Sequence, residues 1–192
     1  MKLSVVLVLG ALFLSPQARA GSEVVHYRLD LTEPTHQLGQ VEVSFPDVQG
    51  AYFDVKLPAW RTGKYKILNL ASGVRGFTAR DAAGRVLPVE KVDKDTWRVN
   101  LATPGAVNVS YEIYANQLAE RVRHIDDSHA FIDASGVFVY AESFRTRPLD
   151  VELKVPAGWA SRSGLEATGP HVFSAPNYDV LVDTPIETGR HA

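Results

Sequence analysis

The densest group of side chains that could do chemistry is the run His-Ile-Asp-Asp-Ser-His at residues 124–129. It places two imidazoles and two carboxylates close together in the chain, and both groups are common ligands of zinc. A zinc site needs three or four ligands that converge tetrahedrally, with outer hydrogen bonds that orient them. Because the consecutive Asp126 and Asp127 would face opposite ways on a strand, the pattern favours a polar, hydrogen-bonded loop over a metal site.

Other patterns that carry catalysis are missing from the sequence. None of the six histidines lies in a His-Glu-x-x-His motif, which supplies two helical zinc ligands and a general base. No serine has the Gly-x-Ser-x-Gly elbow of hydrolases, and glycine-rich phosphate loops are absent as well. The lack of cysteine excludes thiolate zinc sites, cysteine nucleophiles and disulfides. We therefore predict no catalytic residue, no metal-binding residue and no cofactor in this chain.

An aromatic side chain between two chain-breaking residues marks a second candidate site. Pro58 removes a backbone donor and should end the strand that precedes it, and Gly63 permits a turn that a side chain would obstruct. Trp60 stands between them and is either a plug for the end of a β-sandwich or a contact surface. Tyr65 and Trp159 also fall in predicted loops, where aromatic rings could stack on sugars.

The scaffold that must hold these residues is predicted to be all-β. Apolar and polar residues alternate in three consecutive segments, at residues 25–31, 41–45 and 51–57, with the period of half-buried antiparallel strands. Further short strands follow, divided by turn residues. The predicted fold is an antiparallel β-sandwich-like domain of short strands with at most one or two short helices.

Some segments carry more specific expectations. Alternation in the segment around Trp97 predicts that its ring points into the core. Apolar residues on both sides of the segment 137–142 predict a strand covered on both faces. Residues 159–170 are predicted to be loop, and residues 116–123 are mildly helical. The six residues 65–70 fit a short strand or one helical turn.

The N-terminal residues resemble a targeting signal. Lys2 is followed by an apolar run at residues 5–14 and by a small-x-small cleavage pattern ending at Ala20. The run is too short to cross a bilayer, which takes about 20 residues. We predict a secretory signal peptide over residues 1–20 and export, most simply to a bacterial periplasm. A single β-rich domain is expected over residues 21–192.

Charge and hydropathy restrict the partners. The chain carries a formal net charge of −2 and has no basic block, so it lacks the electrostatic footprint of a nucleic-acid-binding protein. No later apolar run reaches the length of a membrane span. The expected partners are therefore neither nucleic acid nor a bilayer.

Several motifs resemble, in the same order, the N-terminal domain of the glycyl aminopeptidase family of zinc peptidases. The most specific is Leu-Pro-Ala-Trp-Arg-Thr-Gly-Lys-Tyr at residues 57–65, which is similar to the family's Leu-Pro-x-Trp-x-Pro-Gly-Ser-Tyr signature. Thr62 and Lys64 replace the family's proline and serine, so we expect a less rigid turn. The likeness extends over nearly all of the mature chain, at residues 57–65, 79–81, 91–99, 111–116, 123–127 and 178–185.

The resemblance implies a β-rich domain that packs, in the family, against a thermolysin-like catalytic domain and helps to wall its substrate cleft. In the family that catalytic domain carries His-Glu-x-x-His and a further glutamate ligand. It follows an Asp-x-Pro motif that is similar to residues 183–185 here. The sequence continues only to Ala192, so the resemblance transfers no catalytic or zinc-binding residue. We expect the zinc to belong to the missing catalytic domain, and this chain not to be an enzyme.

Three functions stay open on these grounds. The first is a non-catalytic binding or interaction module, a stand-alone or truncated N-terminal domain of a glycyl-aminopeptidase-like metallopeptidase. Its candidate partner or ligand surface comprises Trp60, Tyr65, Asp126 and Asp127. The second is the non-catalytic part of a split aminopeptidase whose zinc domain is encoded separately. The third is a periplasmic sugar- or peptide-binding β-sandwich. The expected partner is accordingly a separate catalytic peptidase domain or a peptide ligand.

Overall fold

The computed structural model describes residues 23–61, 63, 65–117 and 123–190. The predicted signal peptide and most of the predicted helical window, residues 118–122, lie outside the described residues. The strands are β1 (Val25–Asp30), β2 (Leu38–Val48), β3 (Tyr52–Lys56), β4 (Val74–Asp81), β5 (Val86–Leu87), β6 (Val89–Lys91), β7 (Thr96–Asn100), β8 (Gly105–Tyr114), β9 (His124–Ile125), β10 (His129–Ile132), β11 (Leu149–Lys154), β12 (Ala160–Ser163), β13 (Glu166–Gly169), β14 (Val172–Ala175) and β15 (Ile186–Gly189). Two short α-helices are α1 (Ala134–Val137) and α2 (Tyr178–Asp183), and 3-10 turns occupy Pro34–His36, Leu70–Gly73 and Glu142–Phe144.

The strands form three sheets. The largest has eight strands in the order β13-β14-β11-β1-β2-β8-β4-β5, the second has the order β12-β15-β10-β9, and the third has the order β3-β7-β6. Paired strands are antiparallel except for β1 and β11, which run parallel with Val25 opposite Leu149. The arrangement confirms the predicted antiparallel, sandwich-like fold with two short helices.

Aromatic rings pack the three-stranded sheet onto the large one. Phe45 of β2 lies edge-on to Phe53 of β3 with ring centroids 5.4 Å apart. Phe77 of β4 stacks on Trp97 of β7 with ring centroids 4.8 Å apart. Trp97 is 6% exposed, which confirms that its ring points into the core. The alternating residues of both sheets therefore meet in one buried layer.

The segment after β10 differs from the prediction. Residues 137–142 were expected to form a strand, but α1 ends at Val137 and the chain then continues without a regular ladder. The segment pairs with β3 only through an isolated bridge between Tyr140 and Lys56, and the Tyr111 hydroxyl donates to the Val137 carbonyl (2.7 Å) and accepts from the Val139 N–H (3.0 Å). Burial on both faces is confirmed, because residues 137–141 are all buried.

Two further segments are corrected. Residues 159–170 were expected to be loop, yet they contain β12 and β13, which pair with β15 and β14. Their pairing partners lie elsewhere in the chain, so few local apolar residues are needed to mark them. Residues 65–70 form neither of the two predicted structures, and a 3-10 turn begins at Leu70. Among the described residues, no helix is long and apolar enough to cross a membrane.

Candidate functional site

The Trp60 loop, defined here as the described residues 58–61, 63 and 65–69, lies between β3 and the turn Leu70–Gly73; Thr62 and Lys64, where a less rigid turn is expected, lie outside the described residues. The strand ends at Lys56, before Pro58, as expected for a residue that cannot donate to a ladder. Gly63 has a φ of 78°, a conformation that favours glycine. The loop closes on itself where the Leu68 N–H donates to the Ala59 carbonyl at 2.8 Å. The loop is thus a defined excursion from the sheet.

The tip of this loop exposes large apolar side chains. Trp60 is 37% exposed, Ile67 is 78% exposed, and Tyr65 is fully exposed. The Trp60 ring lies 5.5 Å from the Arg145 guanidinium carbon, measured to the ring centroid. The hydrogen bond from Arg145 to Asp179 (2.9 Å) raises the pKa of Arg145. Trp60 is therefore supported on one side and open to solvent on the other.

The start of the loop is anchored by a buried ion pair. Arg61 Nη1 lies 3.1 Å from Asp133 Oδ2, and the two side chains are only 6% and 4% exposed. The other Asp133 oxygen accepts hydrogen bonds from the Ser135 backbone and hydroxyl, which caps α1. Charges that leave water together need good geometry and further hydrogen bonds; Asp133 has the further hydrogen bonds, whereas Arg61 Nε is buried without a partner among the described residues. The pair fastens the loop to the segment between β10 and α1.

The end of the loop is anchored by a second buried arginine. Arg123 donates to the backbone carbonyls of Leu70 (2.8 Å), Tyr114 (2.9 Å) and Gly136 (3.0 Å). Burial lowers the pKa of the Arg123 guanidinium. A Cβ atom at Gly73 would collide with the same guanidinium, so a small residue is required there. Both ends of the Trp60 loop are consequently fixed to buried charge.

The His124 hairpin, defined here as residues 124–132, comprises β9, a turn and β10. The turn is organised by Asp126, whose Oδ1 accepts the N–H groups of Ser128 (2.8 Å) and His129 (2.9 Å) and the Ser128 hydroxyl (2.7 Å). Its Oδ2 lies 2.9 Å from His124 Nε2. The turn between β9 and β10 is therefore polar and hydrogen-bonded, as the sequence predicts, while its flanking histidines lie on strands.

Electrostatics distinguish the two aspartates of this turn. Burial by itself would raise the pKa of Asp126, but the hydrogen bonds from His124, Ser128 and the backbone lower the pKa well below its usual range. Asp127 is exposed and makes no hydrogen bond to the part of the chain that the structure describes. The Asp126 side chain is therefore held by contacts within the turn, whereas the Asp127 side chain faces solvent.

The four candidate surface residues do not form one cluster. Asp133, which holds the Trp60 loop, follows the end of β10, whereas Asp126 precedes its start. The four residues of β10 span about 10 Å from first to last, at about 3.4 Å per step. Trp60 and Tyr65 therefore belong to one region, and Asp126 and Asp127 to another. Trp159 is 5% exposed and so offers no platform at the surface.

The residues that fix these regions were not predicted. Residue types and spacing indicate Trp60 and Tyr65 but not the buried arginines, Arg61 and Arg123, or their partner Asp133. Arginine is rarely buried, and nothing in the local pattern distinguishes these from surface arginines. Both arginines lie within motifs quoted above, Arg61 beside Trp60 in residues 57–65 and Arg123 at the start of residues 123–127, and this is the available signal.

The zinc of a peptidase does not fit this chain. Such a site takes two histidines one helical turn apart with a glutamate between them. Neither α1 nor α2 contains a histidine, and the sequence has no His-Glu-x-x-His motif. No catalytic step can be assigned through such an ion on these residues.

Solved structures share the fold. An aminopeptidase N family protein from Idiomarina loihiensis has a TM-score of 0.79 at 25% identity, over 86% of this chain and 29% of that chain. A mutant M1 zinc metallopeptidase from Deinococcus radiodurans has a TM-score of 0.54 at 12% identity, over 86% of this chain and 41% of that chain. A mutant of the same metallopeptidase with a bound tripeptide substrate has a TM-score of 0.52 at 14% identity, over 88% of this chain and 43% of that chain.

These matches show that the fold is shared, and this chain spans less than half the length of each of these proteins. No curated protein matches the chain. The family model of the Peptidase M61 N-terminal domain matches residues 26–190. The chain belongs to that family, which confirms the resemblance drawn from the ordered motifs.

Proposed function

We propose that this chain is a non-catalytic interaction module that packs against a zinc-peptidase catalytic domain through the tip of the Trp60 loop. The observation that carries the proposal is the combination of an exposed apolar tip with a buried ionic base. Trp60, Tyr65 and Ile67 are exposed, while Arg61 beside them is paired with Asp133 in the interior. The chain holds these apolar side chains in water in a defined position.

Physical considerations favour a docking role for such a tip. Exposed apolar patches on soluble domains often mark interaction sites, and tryptophan and tyrosine are enriched among the residues that dominate binding energy. A loop that is already anchored at Arg61 and at Leu70 loses less conformational freedom when it binds. The Trp60 loop therefore suits recognition of a rigid partner.

The relatives suggest which partner this is. The chain spans 29% of the Idiomarina aminopeptidase N family protein, and the matching family model is that of an N-terminal domain. A domain of this kind has a larger neighbour in such proteins. We infer that the neighbour here is a catalytic domain with a His-Glu-x-x-His helix, and that the chain itself supplies no catalytic group.

Export forms part of the same proposal. The charged and apolar pattern of residues 1–20 supports secretion of the chain. The partner domain would then meet it outside the cytoplasm, most simply in a periplasm. The two proteins are therefore best tested without their signal peptides, mixed after purification.

Co-purification with a peptidase domain from the same source tests the proposal. The mature chain is mixed with a separately expressed domain that carries His-Glu-x-x-His, and the complex is measured by size exclusion and titration calorimetry. The double variant Trp60→Ala/Tyr65→Ala should weaken the complex at least about tenfold, since aromatic anchors dominate interfaces. Val86→Ala is the matched control, because Val86 is also apolar and exposed but lies on β5.

Two results for the double variant and the unaltered chain would contradict the proposal, and a third concerns the control. One is a complex that the double variant forms as tightly as the unaltered chain. The other is an unaltered chain that stays separate from the peptidase domain and binds no hydrophobic dye. Loss of binding in the control to the same degree as in the double variant would also count against the Trp60 loop.

A further inference from the structure

The His124 hairpin brings together three groups that commonly ligate metals. One nitrogen each from His124 and His129 and one oxygen of Asp126 all lie within 4.8 Å of one another. The Asp126 carboxylate is central, with Oδ2 at 2.9 Å from His124 Nε2 and Oδ1 at 3.4 Å from His129 Nδ1. The imidazole rings are 5.0 Å apart between centroids. Sequence order alone did not reveal this convergence, because Asp126 lies in a turn rather than on a strand.

These separations are near those of a tetrahedral zinc site. With zinc–ligand bonds of about 2.0–2.1 Å, neighbouring donor atoms stand about 3.3 Å apart. The two Asp126 oxygens lie 2.9 Å from His124 Nε2 and 3.4 Å from His129 Nδ1, and one donor atom from each residue lies within 4.8 Å of the others, so side-chain rotation would draw the three donors onto an ion. Two imidazoles and one carboxylate match the set that binds Zn²⁺ and leaves a fourth position for water.

The surroundings orient part of this donor set, whereas His124 Nδ1 is buried without a hydrogen-bond partner among the described residues. Asp126 Oδ1 is held by the Ser128 and His129 N–H groups, which leaves Oδ2 directed at His124. His124 is buried, and it directly follows Arg123, whose side chain is fixed by three carbonyls. Outer hydrogen bonds of this type are a recurring part of metal sites.

The third ligand is fixed by the last strand of the described chain. His129 pairs with Gly189 of β15, and a Cβ atom at Gly189 would collide with His129. The His129 side chain is about one-third exposed, as is that of Asp126. The three donors thus combine one buried ligand with two that solvent and an ion can reach.

We propose that His124, Asp126 and His129 bind one Zn²⁺ ion, with water in the fourth position. This site differs from a peptidase zinc centre, since its ligands come from a β-hairpin and no His-Glu-x-x-His helix is involved. The ion would cross-link β9 to β10 beside β15 and thereby stabilise that end of the four-stranded sheet.

Zinc titration of the tag-free, metal-stripped mature chain tests the proposal. Calorimetry should show one Zn²⁺ per chain, and Co²⁺ in its place should give the visible absorption of a four-coordinate site. His129→Asn should weaken Zn²⁺ binding at least about tenfold, and Asp126→Asn should do the same. His36→Asn is the matched control, because His36 is exposed on a 3-10 turn outside the hairpin, and it should leave the affinity unchanged.

The site would be overturned by the absence of stoichiometric binding, or by His129→Asn and Asp126→Asn variants that bind as the unaltered chain does. Circular dichroism of each metal-free variant verifies its fold, and His129→Gln serves if His129→Asn unfolds. Zinc should also raise the melting temperature of the unaltered chain but not that of the folded ligand variants. A rise of equal size in those variants would contradict the proposal.

Discussion

Trp97 and Trp60 have the same side chain in opposite settings. Trp97 of β7 is 6% exposed, stacks on Phe77 at 4.8 Å, and has the Lys91 ammonium 3.5 Å from its ring centroid. Trp60 is 37% exposed and is contacted through Arg145 alone among the ring interactions of the described residues. One ring packs between two sheets, whereas the other is presented by a loop that buried ionic side chains anchor to the rest of the fold.

Although Trp60 is exposed, its loop is firmly anchored. The contacts that fix the loop are made by Arg61, Asp133 and Arg123 rather than by the aromatic tip. Substitutions at the base should therefore destabilise the fold, and substitutions at the tip should affect binding alone. Variants at the base and variants at the tip therefore test the two roles separately.

The largest effect is expected at the base of the loop. Asp133→Ala leaves the Arg61 charge buried without its partner, which costs about 3–5 kcal/mol of unfolding free energy, and removal of the α1 cap costs about 1 kcal/mol more. Urea denaturation followed by circular dichroism measures the loss. The paired change Arg61→Met/Asp133→Leu should recover much of it, because no unpaired charge then remains. An Asp133→Ala variant as stable as the unaltered chain would refute the anchoring role of the pair.

The next largest loss of unfolding free energy is expected when the buried Trp97 ring is truncated. Trp97→Ala removes a ring packed between β4 and β7, and such changes typically cost about 3–5 kcal/mol. The same denaturation experiment gives the value. A loss below about 1 kcal/mol would show that the sheets do not depend on this contact.

A smaller, pH-dependent effect is expected at Asp54, which faces Arg98 across β3 and β7. Arg98 donates to both Asp54 oxygens at 2.7 and 2.8 Å, and this lowers the pKa of Asp54. Stabilisation is thus present above the unfolded-state pKa of about 3.9 and is lost as pH falls through the lower folded-state value. Both side chains are more than one-third exposed, so Asp54→Asn should cost at most about 1 kcal/mol at pH 7.

The pH profile of melting temperature checks this prediction. The difference between the unaltered chain and Asp54→Asn should shrink as pH decreases from 7 to 3. Glu152→Gln is a suitable control, because Glu152 is exposed on β11 and makes no salt bridge with the described residues. A difference that grows toward acid would have the opposite sign and would contradict stabilisation of the Asp54 carboxylate by Arg98.

The smallest effect on stability is expected at the tip. Trp60→Ala should change the unfolding free energy by about 0.5 kcal/mol or less, as surface substitutions usually do. The thermal unfolding curves of the two proteins should nearly coincide. A loss as large as that at Trp97 would mean that Trp60 is a plug of the sandwich and not a contact surface.

How far the sequence predicts this structure depends on the periodicity at each place. The inward direction of Trp97 follows from strict alternation around β7, and Pro58 correctly predicts the end of β3. The α1 helix was missed because it has four residues, too few for a helical period to emerge. Burial on both faces of the following segment was recognised, but burial alone does not distinguish a strand from an extended segment that bonds to the Tyr111 hydroxyl.

The candidate sites were predicted less completely than the fold. Trp60 and the 124–129 run were found from residue types and spacing, since aromatic rings and clustered imidazoles are unusual in loops. Their supports come from distant parts of the chain: Arg61 pairs with Asp133, and Arg123 reaches Leu70. Such long-range pairs leave no local periodic pattern, so a single sequence does not indicate them.

Site-directed photocross-linking tests the central claim most directly. A photoreactive phenylalanine analogue is placed at Tyr65, on the tip of the Trp60 loop, or at Tyr52 as a control, which is exposed on β3. Each protein is then irradiated with the His-Glu-x-x-His-containing peptidase domain. The account predicts a cross-link from Tyr65 to that domain and little from Tyr52. Equal cross-linking from both positions, or none from Tyr65 within a complex that does form, would contradict it.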